Sequence, residues 1–228
     1  MVTPEHRWQY NARFPLPTLI QRHFSSSRQR PLRVELRGRP PNRRRNSEVR
    51  LREYLTGSEV DRLLAAAGKN RHGHRDAALI LIAFRHGLRP LEAVGLRWDA
   101  IDFDRGEIHI ARVKRGSAAT HPLAGRELRA LRRLQREQEP KSSFVFTSER
   151  GAPFATGGFR TLVARLGKAA GFDFRVHPHM LRHACGYALA NQEHSTRAVQ
   201  AYLGHRNIQH TVRYTELSPT RFKNFWRD

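Results

Sequence analysis

The sequence predicts a mainly α-helical domain with one small antiparallel β-sheet, an α+β fold, over residues 48–228. Three observations carry that expectation. Apolar residues recur at helical spacing in Val60, Leu63, Leu64 and Ala67, and again in several later stretches. Alternation of the kind that marks a half-buried strand is confined to "GEIHIARVKRGSAATHPL", residues 106–123. At 228 residues the chain is long enough for one substantial core with a small accessory piece, and no internal repeat is present.

Residues 1–47 differ from the rest, with 11 Arg, no Lys, only Glu5 and Glu35 as acids, and the run Arg43-Arg44-Arg45. Without sustained periodicity they read as a disordered basic arm. An organellar targeting segment, or a start codon set too far upstream, would have the same composition.

The folded domain begins near Thr56, which forms a capping box with Glu59 ahead of the first apolar repeat. "RDAALILIAFRHG" is apolar on all sides, as a buried helix is, and Gly87 can end it. Pro90 suits the first position of a short helix, "PLEAVGL", and leaves Arg89 at its N-terminal edge. The alternating stretch reads as a β-hairpin whose basic tip is Lys114-Arg115-Gly116. "GRELRALRRLQREQ" is a basic, solvent-facing helix on a stripe of Leu128, Leu131 and Leu134, and "FVF" is a short strand. Helical patterns follow over 157–170, 179–191, 195–203 and 207–215, with a tail helix at 218–227. Ser218 caps that tail, Pro219 opens it, and Phe222, Phe225 and Trp226 share one face.

Charge names the kind of partner. Against 20 Asp and Glu stand 42 Lys and Arg, a net charge of +22 and a pI of about 11.6. Neutralising a polyanion releases its condensed counterions, so nucleic acid is the expected partner. A passive binder would share that charge, so chemistry has to come from motifs. One cysteine, Cys185, excludes a disulfide framework or a cysteine zinc site within the chain. No apolar run approaches bilayer length and the N-terminus lacks a secretory core, so an intracellular protein without membrane contact is expected.

"HPHMLRHACGYALA", residues 177–190, crowds histidines into a helix start. On a helical wheel Leu181, Ala184, Cys185, Ala188 and Leu189 form one face, and His179, Arg182, His183 and Gly186 the other. Ordinary surface histidines and a His177-Pro178 cap would account for this alone. His179 and His183 at i and i+4 could share a metal ion, but Arg182 between them is a poor neighbour for one and no acid completes an HExxH pattern. An anion fits better. Arginine offers a planar fork to two phosphate oxygens, imidazole can hydrogen-bond or move a proton, and Gly186 leaves room for a partner's backbone. A nucleophile is available in "YLGHRNIQHTVRYTEL", residues 202–217, where Tyr214 falls off the stripe of Ile208, Thr211, Val212 and Thr215, beside His210. A surface tyrosine with its ring half packed is the plain alternative.

Here the motifs resemble a known family. "HGLRPLEAVGLRWDAID" is similar to the first arginine box of the tyrosine site-specific recombinases (phage integrase family), "HMLRH" to the H-x-L-R-H box, and "LGHRN" followed by Tyr214 to the last segment. The boxes stand in the family's order over residues 50–217. "HPHMLRHACGYALAN" and "YLGHRNIQHTVRYT" resemble the short, fimbrial-switch type of bacterial recombinase most.

The resemblance implies the catalytic-domain fold of that family and a set of roles. Arg89 and Arg182 clamp the scissile phosphate, and their charge matters most on the pentacoordinate transition state. Tyr214 attacks phosphorus, leaving a 3′-phosphotyrosyl link and a 5′-hydroxyl. A phenol with a pKa of ~10 needs a base, and His179 matches it, while His205 hydrogen-bonds the phosphate. Lys114 protonates the leaving oxygen. Arg115 beside it holds its proton too tightly for that and contacts phosphate instead. Glu92 orients Arg89, and His183 stands behind the site. The chemistry needs no metal or nucleotide cofactor, and the reverse attack rejoins the strand.

The implied partner is double-stranded DNA, bound by a homotetramer with the possible help of accessory DNA-bending proteins, in the bacterial cytoplasm at the nucleoid. Most of the family carries a helical DNA-binding domain ahead of the catalytic one, and the 47 residues here do not resemble it. Arg43, Arg44 and Arg45 are expected to supply part of that grip. The tail helix docks on a neighbouring protomer or on its own domain. Two rival functions share the boxes: a topoisomerase-like enzyme that nicks and reseals, and a non-catalytic DNA-binding regulator.

Overall fold

The computed structural model describes residues 53–113, 116–138 and 142–216, all within one compact unit. The basic arm with Arg43, Arg44 and Arg45, the pair Lys114 and Arg115, and the tail helix lie outside the described residues.

Helix α1 (Gly57–Gly68) starts on the expected capping box, with Thr56 N–H donating to Glu59 Oε2 at 2.8 Å and Glu59 N–H to Thr56 Oγ1 at 3.4 Å. It buries Val60, Leu63, Leu64 and Ala67, the predicted stripe. Helix α2 (Gly73–Arg85) buries every residue from Ala78 to Ala83 because it is the central helix, flanked by α1 and by helices that follow. It ends at Gly87, where φ is 56° and an added Cβ would stand 2.4 Å from Leu203 Cδ2. Both the left-handed backbone and the close approach require glycine there. Helix α3 (Pro90–Val94) opens on Pro90 as expected.

A 3₁₀ turn (Trp98–Ala100) leads into strands β1 (Ile101–Asp102), β2 (Glu107–Ile110) and β3 (Ala119–Pro122), antiparallel in the order β1-β2-β3. Ile108 pairs with His121 and Ile110 with Ala119, where pairing ends. The hairpin is therefore shorter than the alternation implies. Arg112 turns into the core rather than continuing the ladder. "FVF" does not form a regular strand. Phe144 makes one bridge to Arg97, while Val145 and Phe146 are buried and Val145 N–H donates to Leu96 O.

Helix α4 (Gly125–Gln138) buries Leu131, Leu134 and also the acid Glu127, whose Oε1 lies 2.8 Å from His86 Nε2. Burial raises the Glu127 carboxyl, but the His86 contact, then the Ala124 N–H bond and Arg85, hold it below its ordinary range. Helices α5 (Thr156–Ala169), α6 (Pro178–Asn191), α7 (Thr196–Leu203) and α8 (Gln209–Glu216) complete the domain. Leu79, Ile80, Ile82, Phe146, Phe159, Val163, Leu166 and Leu181 make the main core, each removal of which from water contributes about 1.5–3 kcal/mol. A smaller cluster of Cys185, Tyr187, Val199, Leu203 and Tyr214 joins α6, α7 and α8.

Cys185 donates to Arg85 O at 3.4 Å. Burial pushes its thiol up to about 12 even with Arg182 and Arg112 nearby, so it is protonated and unreactive. Among the described residues, no helix is long and apolar enough to cross a membrane, and no group of three His, Cys, Asp or Glu is placed to hold a metal ion.

Candidate active site

The site grows from the left-handed turn at Gly87. That turn aims two carbonyls, of His86 and Gly87, inward and delivers Arg89 to the N-cap of α3. Arg89 N–H donates to Glu92 Oε2 at 2.9 Å and its Nη1 to Glu92 Oε1 at 2.7 Å, so one acid fixes both backbone and guanidinium. The Arg89 side chain keeps 22% exposure, enough for an anion to reach it. Glu92 also accepts from Arg112 Nη1 at 3.0 Å and Val113 N–H at 3.2 Å. Burial raises its carboxyl, but the bonds from Arg89 and the charge of Arg112 outweigh this and hold it below the usual range.

Arg182, on α6, crosses to the same turn. Its Nη1 donates to Gly87 O and its Nη2 to Leu203 O at 2.7 Å, tying α6 to the turn after α2 and to the end of α7. Burial first, then Arg89 and Arg112, push it down to about 10, which still leaves it charged at neutral pH. The wheel placed Arg182 opposite the core face; it is nonetheless 5% exposed, because those two carbonyls reach it from other segments.

Helix α7 ends on Gly204, left-handed at φ 63°, and the chain turns there to present His205. His205 Nδ1 bonds Thr211 Oγ1 at 2.9 Å. Burial, then the charges of Arg182 and Arg89, push its imidazole down to about 3, so it is neutral. Arg89, His205, Arg197, Arg206 and His210 line an open cleft of about 680 Å³. Arg197 and Arg206 were not singled out in the sequence, where nothing separates them from surface arginines.

Tyr214 differs from expectation. Its place off the apolar stripe of α8 predicts an outward ring, yet it is 1% exposed. The reason is Gly186: an added Cβ there would stand 2.7 Å from Tyr214 Cε2, so the glycine makes the niche for the tyrosine ring rather than for an outside partner. Tyr187 meets the ring edge-on at 5.0 Å between centroids and His205 stacks beside it at 6.2 Å.

The Tyr214 hydroxyl lies 2.7 Å from His183 Nδ1. Burial raises the Tyr214 phenol, so it is protonated. Burial, then Arg213 and other nearby charges, push His183 down to about 3, so its imidazole is neutral. His183, expected behind the site, thus touches Tyr214, the expected nucleophile, directly. His179 is one turn earlier on α6, exposed, with its ring 6.4 Å from that of His177.

The structure therefore gathers Arg89, Glu92, Arg182, His183, His205 and Tyr214 around one turn, with His179 at the surface. Arg112 was missed, although its signal was present: it shares the parity of the inward residues Ile108 and Ile110. Two charged guanidiniums beside an open cleft, next to a phenol hydrogen-bonded to a neutral imidazole, suit nucleophilic attack on a phosphate.

The class that this fold and site define is an enzyme that breaks and rejoins DNA strands through a tyrosine. The phage integrase family model matches residues 53–221, and the chain belongs to that family: it is a site-specific tyrosine recombinase. It is 43% identical over 179 residues to the type 1 fimbriae regulatory protein FimB of Escherichia coli (strain K12), across 77% of this chain and 90% of FimB. To FimE of the same strain it is 41% identical over 180 residues, 77% of this chain and 91% of FimE. Among solved structures, the XerA recombinase superposes with a TM-score of 0.67 at 24% identity, over 77% of this chain and 64% of that one. XerH in a post-cleavage complex with palindromic difH substrate gives 0.66 at 23%, over 80% and 54%. At such identities these two show the fold.

Proposed function

We propose that the protein inverts a DNA segment bounded by inverted repeats, as a tetramer in the bacterial cytoplasm, with accessory DNA-bending proteins where the sites must be brought together. Support comes from the similarity to FimB and FimE over about nine-tenths of their length. The chemistry rests on one observation above all, the 2.7 Å bond between the Tyr214 hydroxyl and His183 beside the arginines.

In this reading Arg89 and Arg182 hold the non-bridging oxygens of the scissile phosphate and His205 adds a hydrogen bond. Negative charge grows there as phosphorus becomes pentacoordinate, so fixed cations stabilise the transition state more than the bound substrate. The Tyr214 oxygen bonds to phosphorus and the bond to the 5′-oxygen breaks. In the DNA-free protein the Tyr214 hydroxyl is only hydrogen-bonded to His183; as its oxygen attacks phosphorus, the phenol's proton passes to His179, the exposed histidine of α6, as base. Lys114 supplies the proton to the leaving 5′-oxygen. No net energy is lost, because the phosphotyrosyl ester conserves the bond for a second 5′-hydroxyl.

Duplexes nicked beside the cleavage point, carrying inverted repeats that flank an invertible segment near the gene, should give a protein–DNA adduct that survives denaturant. A plasmid holding the segment between two such sites should then invert. Relaxation of plasmids of any sequence, without inversion, would instead favour the topoisomerase-like reading, and no adduct at all the regulator. Arg43, Arg44, Arg45 and Arg115 add phosphate contacts in the same reading. Removing residues 1–45 should weaken binding and lower the salt slope by roughly 0.9 for each phosphate that the arm no longer neutralises, and an unchanged slope takes the arm out of the interface.

A further inference from the structure

Arg112 has no part in the reaction steps above, yet its side chain is 0% exposed. Burial lowers its pKa against the opposing pull of Glu92. Its Nη1 donates to Glu92 Oε2 at 3.0 Å and approaches Gly87 O at 3.5 Å, and its Nη2 donates to His86 O at 3.2 Å and Tyr202 O at 2.6 Å. Those acceptors belong to the turn before Arg89, the acid that holds Arg89, and the end of α7 just before His205. Gly87 O is also an acceptor for Arg182.

The stem of Arg112 is gripped as well. A Cβ at Gly116 would stand 2.7 Å from Arg112 Cβ, and one at Gly204 would stand 2.8 Å from Arg112 Cγ. Val113 N–H donates to Glu92 Oε1 at 3.2 Å. Of the residues that flank Lys114-Arg115 in the chain, Val113 is therefore bonded to the acid that holds Arg89, and Gly116 lies close against Arg112 and Gly204 O, just before His205. Burying a charged pair gains little stability over apolar packing, because desolvation cancels much of the attraction. A guanidinium that joins four segments with directed bonds instead sets their relative positions.

We propose that Arg112 is a positioning residue for the strand-cleavage reaction: it anchors the β2–β3 connection to the arginine platform and so sets where Lys114 delivers its proton. The proposal rests on the reading of Lys114 as the acid. A thiolate leaving group needs no proton, so a duplex with sulfur in place of the bridging 5′-oxygen bypasses the acid while still requiring the clamp and the nucleophile.

Single-turnover cleavage of the nicked duplex defined by the adduct assay is measured in its oxygen and sulfur forms. Arg112→Lys and Arg112→Gln should cleave the oxygen form roughly 10²-fold more slowly than wild type. Both should recover to within a few-fold of wild type on the sulfur form, as Lys114→Ala should. Equal slowing on both forms, with Lys114→Ala rescued, overturns the proposal and leaves Arg112 as support for the clamp; wild-type rates on both forms also overturn it. If Lys114→Ala is not rescued, the acid has been misassigned and the proposal fails at its premise rather than at Arg112. Should the Arg112 variants not fold, one glycine inserted between Val113 and Lys114 leaves Arg112 and Val113 unaltered and lengthens only the stretch that carries Lys114. Slow cleavage of the oxygen form with rescue by sulfur is expected of it, and a wild-type rate on the oxygen form overturns the proposal.

Discussion

Tyr214→Phe should leave a folded, DNA-binding protein that forms no covalent adduct. Phenylalanine keeps the ring in the niche that Gly186 makes and against Tyr187, so packing is retained. Only the hydroxyl is lost, and with it one bond to His183, a cost of about 1 kcal/mol. Removing the attacking atom of a covalent mechanism costs on the order of 10⁵–10⁶ in rate, which takes cleavage below detection. The measurement is adduct yield on a denaturing gel, with DNA affinity and thermal unfolding as controls. Equal adduct from both proteins would mean that another residue attacks phosphorus.

Arg182→Ala should fail twice over. Transition-state charge loses one of its two arginines, which lowers single-turnover cleavage by about 10²–10³-fold. Leu203 O loses its donor inside the protein and Gly87 O keeps only Arg112 Nη1 at 3.5 Å, so unfolding stability should fall by about 2–4 kcal/mol. Arg182→Lys keeps the charge but cannot bond both carbonyls with one planar fork, and should recover part of the rate and less of the stability. Cleavage by Arg182→Ala at the wild-type rate would remove this residue from the clamp.

Local patterns in the sequence were faithful to local structure. The capping box at Thr56, the Val60–Ala67 stripe and the Pro90 helix start all depend on residues within one or two turns of each other, and all are present. What sequence hid is what other segments bring. Arg182 lies on the polar side of its helix yet is buried, because Gly87 O and Leu203 O, far away in the chain, come to meet it. Tyr214 is buried through a gap left by Gly186, 28 positions earlier, which no periodicity within α8 can report. Glu127 hides on a basic helix because His86 reaches it. Arg112 was legible in principle, since a charge on the inward face of a strand has to find a partner. "FVF" was misleading for the opposite reason: it is apolar enough for a strand, but it serves as a buried crossing that makes a single bridge.

Cys185, the only thiol in the chain, gives the enzyme an internal gauge of its own integrity. The sulfur bonds Arg85 O and would lie 3.3 Å from a Cβ at Gly87, directly against the turn that receives Arg182. The thiol is 3% exposed, so a maleimide labels it faster in molecules whose structure around it has opened, and the labelling rate reports such openings. A variant that labels as slowly as wild type has kept the surroundings of Cys185 closed, so its loss of cleavage does not come from opening at this turn.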